Sequence, residues 1–426
     1  MQLNKPLTVG HRMRLSRFNL LLASVILVSC SQQRRLQKNQ PVAESKPAER
    51  SAVAAYEQAI RPAAERTRHY FGKLENKRIG VVANQTSLIG QTHLVDSLIT
   101  SGINIVRVFT PEHGFRGQAE AGEHVDNNID VKTGLPLVSL YGEHRKPLAE
   151  DLAGIDLILF DLQDVGARFY TYISTLTLVM EACAENNVPL LVLDRPNPNG
   201  FYIDGPVLEQ GFSSFVGMHP VPVVHGMTMA EYARMVNGEF WLKDSLRCDL
   251  DWVEISGYTH RKFYRLPVRP SPNLPDMESV YLYPSLCFFE GTMVSVGRGT
   301  DHPFSIIGFP GFEKGDFSFT PESRPGASLN PLYKGIECSG LDLRGEAASV
   351  QQNPGIRLNW LLDMYHASPE KDKFFTSFFS KLAGSDQLRR QIEAGFSEEE
   401  IRASWQQGLS DFQKIRHRYL LYNDFK

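Results

Sequence analysis

Acidic, basic and amide side chains in this chain gather where short apolar runs stop. The run 78–83 ends at Asn84-Gln85-Thr86, and 103–109 ends at Thr110-Pro111 before Glu112, His113 and Arg116. The run 156–160 stops at Asp161, with Asp164, Arg168 and Tyr170 just beyond, and 189–193 stops at Asp194-Arg195-Pro196-Asn197. Such a mixture suits proton transfer to a leaving oxygen and the holding of an anionic or hydroxylated substrate. Glu112 is the first candidate acid. Pro111 restricts its loop on one side and Gly114 permits a tight turn on the other. Shelter from Phe109 and Phe115 would keep its carboxyl protonated, as a general acid requires. The competing reading makes Glu112 a solvated partner of Arg116, and His113 a structural loop residue.

The second catalytic group stays open among Asp164, Glu123 and Glu290. Asp161 either faces substrate or bonds turn amides. Arg168 either holds an anion or pairs with Asp164, and Asp194 either meets hydroxyls or pairs with Arg195. Glu120 and Asp130 fit a hydrophilic loop. Farther along, His225, Asn273 in the stiff Ser271-Pro272-Asn273-Leu274-Pro275 loop, and Arg298 between Gly297 and Gly299 are further binding candidates. Thr228 and Glu231 have the spacing of a helix capping box.

The apolar runs alternate with helical patterns at 94–99 and 173–185, which predicts a parallel, doubly wound sheet. Continuously apolar strands fit a sheet covered on both faces. In such sheets ligands bind beyond the carboxyl ends of the strands, so the polar ends converge on one crevice. The expected fold is α/β: a Rossmann-like, mainly parallel sheet over 56–200, then a smaller α/β domain over 201–426. That second part holds a helix at 229–236, a strand at 250–255, Pro- and Gly-rich loops over 267–284 and 291–310, and a helical tail from 371.

Composition narrows the class. The net charge is −3 over 426 residues, with 22% charged and 42% hydrophobic. No basic stripe points to nucleic acid. No Gly-x-Gly-x-x-Gly follows the first strand, no Gly-x-Ser-x-Gly elbow occurs and no His-Glu-x-x-His spacing appears, so no cofactor and no metal are expected. The N-terminus is the most distinctive segment. Lys5, Arg12, Arg14 and Arg17 precede a short apolar run that ends in Leu27-Val28-Ser29-Cys30. This resembles a lipobox, so residues 1–30 read as a lipoprotein signal, Cys30 as the acylated residue and 31–55 as a flexible tether. The expected location is the cell envelope, anchored by lipid in the outer membrane and facing the periplasm. Of the remaining cysteines, Cys183 and Cys287 read as buried thiols.

Several segments taken together, Val82-Ala83-Asn84-Gln85-Thr86, Pro111-Glu112-His113-Gly114, Ser139-Leu140-Tyr141-Gly142, Asp161 to Arg168, Asp194 to Pro198, Glu290-Gly291-Thr292 and Gly297-Arg298-Gly299-Thr300, resemble the NamZ-type exo-β-N-acetylmuramidases. The resemblance runs from about residue 77 to the C-terminus. It implies a Rossmann-like domain beside a smaller α/β domain with the active site between them. It also implies release of N-acetylmuramic acid from non-reducing ends of peptidoglycan fragments, and it points at Glu112. Arg168 or Arg298 would then meet the lactyl carboxylate. The alternatives are an envelope lipoprotein that binds muropeptides without cleaving them, and an amidase or esterase.

Overall fold

The computed structural model describes residues 59–112, 114–116 and 129–425. Six strands form the central sheet: β1 (Ile79–Ala83), β2 (Ile105–Thr110), β3 (Leu137–Ser139), β4 (Leu157–Asp161), β5 (Leu190–Leu193) and β6 (Leu250–Val253). Their order across the sheet is β6-β5-β4-β1-β2-β3, and every neighbouring pair is parallel. The chain steps outward from β1 through β2 to β3, then restarts on the other side of β1 with β4. The crevice expected at such a reversal lies beyond the carboxyl ends of β1 and β4.

Alternation along each strand explains why both faces are covered. Ile158 and Phe160 of β4 enter one core with Leu176 and Met180 of the helix Tyr172–Asn186. Leu157 and Leu159 enter the other, with Leu94 and Leu98 of the helix Leu94–Thr100. Each strand therefore reads as an unbroken apolar run although its side chains point alternately to two cores. Strand β6, expected in the second domain, is instead the edge of this sheet, paired with β5 from Leu250↔Leu190 to Val253↔Leu193.

The later part of the chain carries a smaller antiparallel sheet, Ile306–Phe309 and Phe317–Phe319 flanking Cys338–Asp342. The capping box is present at Met229–Gly238: the Thr228 amide donates to Glu231 Oε2 at 2.9 Å. Within the segment expected as loop, a helix runs over Met277–Leu286, capped by Asp276, whose side chain accepts from the Ser279 amide at 2.9 Å. Pro284 lies inside it and cannot donate to the carbonyl of Val280. Asn199 Nδ2 takes up that carbonyl at 3.0 Å, so a residue from the β5 loop supplies the missing donor. The tail is helical as expected, ending in Glu398–His417. No helix among the described residues is long and apolar enough to cross a membrane. Cys183, Cys248, Cys287 and Cys338 are buried free thiols.

Candidate active site

Beyond β2 the chain places Glu112 at the lip of a narrow cavity of about 60 Å³. Its half-buried carboxylate accepts a hydrogen bond from Thr171 Oγ1 at 3.1 Å. Thr171 precedes the helix Tyr172–Asn186, so two loops that leave neighbouring regions of the sheet meet at this contact. Among the described residues, Glu112 is the single carboxylate lining the cavity.

The other walls are aromatic. Tyr170 and Tyr172 meet edge to face at 4.8 Å, and Tyr170 and Tyr283 cross at 90° with centroids 6.0 Å apart. Phe304 packs against Tyr283 at 5.0 Å. Hydrogen bonds hold these rings in place: Tyr170 donates to the Pro270 carbonyl at 2.9 Å, and Asn84 Nδ2 donates to the Tyr172 hydroxyl at 2.7 Å. Burial raises both phenols well above their ordinary range, so they enter the site as neutral hydroxyls. Arg298 also lines the cavity. Its guanidinium lies 5.2 Å over the Phe304 ring and donates from Nε to Glu290 at 2.6 Å. Asn273 completes the rim, its amide donating to the Ala327 carbonyl at 2.8 Å.

Glu112, Tyr170, Asn273 and Arg298 are thus the expected residues that reach this cavity. Asn84 acts from behind, through Tyr172. Glu290 lies on the far side of Arg298, as its counter-ion, and not in the cavity wall. His113, Glu120, Glu123 and Cys30 lie outside the described residues.

The remaining candidates are bolts. Asp161 and Arg195 form a buried fork with bonds of 2.6 and 2.7 Å. Arg168 has no exposed surface and pairs with no carboxylate among the described residues. It donates to the carbonyls of Pro206, Val221 and Leu382, each at 2.8 Å. Gly384 leaves room for it, since a Cβ there would lie 2.7 Å from Arg168 Nη2. Asp194 accepts from Thr228 Oγ1, the Ala230 amide and the Tyr422 hydroxyl. Asn197 bridges the Asn199 amide and the Met227 carbonyl. Arg116 is shared by Asp96 and Asp130 at 3.3 and 2.8 Å, so neither it nor Asp130 faces the cavity.

Asp164 and His225 are both buried, 3.9 Å apart, and neither lines the cavity. Asp164 Oδ2 accepts from the Gly166 amide at 2.6 Å, while Oδ1 and His225 Nε2 have no hydrogen-bond partner among the described residues. Burial pushes the Asp164 carboxyl up to about 7, and burial, helped by the Arg416 charge, pushes His225 down to about 3. The pair is neutral in mildly acidic solution.

Sequence reasoning missed Thr171, Tyr172, Tyr283 and Phe304. The run Phe169-Tyr170-Thr171-Tyr172 just past a strand end held the signal for two of them. Tyr283 was hidden by the proline-rich stretch that conceals its helix. Phe109 and Phe115, expected around Glu112, pack into the two cores on opposite faces of the sheet instead.

Two family models match the chain: "Exo-beta-N-acetylmuramidase NamZ, N-terminal" over residues 79–278, and its C-terminal counterpart over 281–422. The chain is 41% identical over 378 residues to the peptidoglycan beta-N-acetylmuramidase NamZ of Bacillus subtilis (strain 168), covering 83% of this chain and 89% of that protein. Its structure resembles a DUF1343 family protein (BF0379) of Bacteroides fragilis NCTC 9343, with TM-score 0.80, 45% identity, and coverage of 86% of this chain and 99% of the other. A second such protein from that organism (BF0371) has TM-score 0.73 and 29% identity, covering 85% and 99%.

The buried Asp164 carboxyl makes the stability of the fold depend on pH. A carboxyl raised from 3.8 to about 7 is held protonated more firmly by the folded state than by the unfolded chain. Its contribution to stability is complete below the ordinary value and is lost as pH rises through that window. Asp164→Asn, which mimics the protonated form, raises the melting temperature above pH 7 and leaves it nearly unchanged below pH 4, relative to the ordinary 3.8. An equal shift at both ends, in scanning calorimetry across the range, contradicts this.

Proposed function

Since the chain belongs to the NamZ exo-β-N-acetylmuramidase family, we propose that Glu112 is the acid with which it removes N-acetylmuramic acid from the non-reducing ends of peptidoglycan fragments. The enzyme is a glycosidase, and a binding-only role is not favoured. One observation carries the assignment of the acid: Glu112 is the one carboxylate in the wall of the aromatic cavity among the described residues.

In this reading the Glu112 carboxyl gives its proton to the glycosidic oxygen as the bond from that oxygen to the anomeric carbon breaks. Thr171 Oγ1 orients the carboxyl through its 3.1 Å contact. Positive charge develops at the sugar, water finally bonds to the anomeric carbon, and the proton that the water loses passes to the Glu112 carboxylate, which regenerates the acid. With no second carboxylate in the described wall, the substrate's acetamido oxygen is a fitting internal nucleophile: it bonds to the anomeric carbon as the glycosidic bond breaks, and the incoming water displaces it. Arg298 receives the lactyl carboxylate that distinguishes muramic acid. Its Nε is occupied by Glu290, and the remaining guanidinium N–H groups are donors for a second carboxylate. Cys30 is read as the acylated N-terminus that tethers the enzyme to the outer membrane, facing the periplasm.

Glu112→Gln lowers kcat on a muramyl-glucosamine disaccharide by about 10²–10⁴-fold while leaving its dissociation constant near the wild-type value. The loss is smaller on a nitrophenyl muramide, whose leaving group departs without protonation. Undiminished disaccharide turnover removes Glu112 from the reaction. Arg298→Gln weakens competitive inhibition by N-acetylmuramic acid about ten- to a hundredfold and leaves inhibition by N-acetylglucosamine unchanged. Equal weakening of both shows that Arg298 does not read the lactyl group. Metabolic labelling with an alkyne fatty acid marks the native chain and is lost in Cys30→Ser. Retained label rules out that anchor.

A further inference from the structure

A second opening, about 790 Å³, lies against the aromatic cavity and shares Asn273 with it. The inner cavity, at about 60 Å³, is too narrow for the length of an oligosaccharide, so everything beyond the reacting sugar must lie outside it. The outer cleft has the volume of sites that hold drug-sized ligands, about 300–1,000 Å³.

Hydrogen bonds tie its walls to one another. Arg324 donates to Asp301 at 2.6 Å and to the Gly299 carbonyl at 3.1 Å, and the Glu322 amide donates to that same carbonyl at 2.9 Å. Gly299 has φ +84°, and a Cβ there would lie 2.5 Å from the Glu322 carbonyl oxygen, so a larger residue would force this wall apart. The Asn273–Ala327 bond ties the cleft to the rim of the inner cavity.

The chemistry of the lining suits a hydroxyl-rich glycan that carries few charges. Arg269 and Arg324 are balanced by Asp301 and Glu322, so the cleft carries no net charge by count. Prolines supply its apolar patches. Arg269 is exposed and has no partner among the described residues, which leaves its guanidinium donors free for a ring hydroxyl or an acetamido carbonyl.

Building on the glycosidase reading above, we infer that this cleft is the binding site for the leaving-group saccharide, beginning with the uncharged N-acetylhexosamine released when the muramic acid is cut away. Binding energy gathered here, remote from the breaking bond, raises kcat/KM for longer glycans.

The test compares wild-type protein, Arg269→Gln and Ser323→Trp on three peptide-free substrates: a nitrophenyl muramide, a muramyl-glucosamine disaccharide and the corresponding tetrasaccharide. Ser323 is an exposed residue of the cleft wall, outside the inner cavity. Wild-type kcat/KM on the tetrasaccharide exceeds that on the disaccharide by about tenfold. Ser323→Trp abolishes that gain, Arg269→Gln reduces it, and both variants turn over the nitrophenyl muramide within about twofold of wild type. Equal rates on the two saccharides, or equal losses on all three substrates, overturn the inference while the glycosidase reading stands. No turnover of any substrate by the wild-type protein defeats both. If Ser323→Trp leaves all three unchanged but impairs turnover of a muramyl-glucosamine disaccharide bearing a peptide stem, measured alongside them, the cleft takes the stem and the assignment to glycan is overturned.

Discussion

A guanidinium with no solvent contact, donating to three main-chain carbonyls far apart in sequence, is the constraint on which the rest of the site depends. Arg168 holds the carbonyls of Pro206, Val221 and Leu382 around one point. Burial lowers it to about 9, still high enough to stay charged at neutral pH. Charge-assisted bonds to carbonyls offset the cost of desolvating a cation. Removing the side chain would strand three buried acceptors, which costs more than the bonds themselves are worth. The residues that follow Arg168, Phe169 to Tyr172, build one side of the cavity, so the anchor sets where that wall stands.

The same logic runs along the whole segment that leaves β4. Asp161 is locked to Arg195. Gln163 donates to the carbonyls of Asp164 and Pro196, both at 2.8 Å. Asp164 fixes the turn at Gly166. By the time the chain reaches Thr171, its backbone has little freedom, and a single hydroxyl can hold the Glu112 carboxylate at a defined place. Enzymes gain from such preorganisation because the acid does not have to be collected from many conformers at the moment of reaction. The second half of the chain contributes in kind. The Met277–Leu286 helix brings Tyr283, and the loop after it brings Arg298, paired with Glu290. Glu112 and Arg298, which share one cavity, thus come from the N-terminal and C-terminal halves of the chain.

Much of this architecture was legible in the sequence. Apolar runs with polar ends announced a parallel sheet, because a strand covered on both faces has no polar side to show, and its loops alone meet water and ligand. The reversal of strand order beside β1 then concentrates those ends in one crevice. Glu112, Tyr170, Asn273 and Arg298 were identifiable by their place after strands or within stiff loops, and the joint motifs carried the family.

What the sequence did not determine is which polar residue faces the cavity and which is a bolt. Arg168 and Arg298 have the same chemistry and similar glycine-containing surroundings, yet one is spent on three carbonyls and the other stands in the cavity wall. Asp164 and Glu112 both follow strands, yet one is buried beside His225 and the other is accessible. A side chain's role depends on which distant atoms fall within about 3 Å of it, and those atoms belong to segments as remote as residues 206, 221 and 382. The one-dimensional order fixed the periodicities and the turn residues. Only the packing of those elements assigned a partner to each polar group, because partners are neighbours in space and not along the chain.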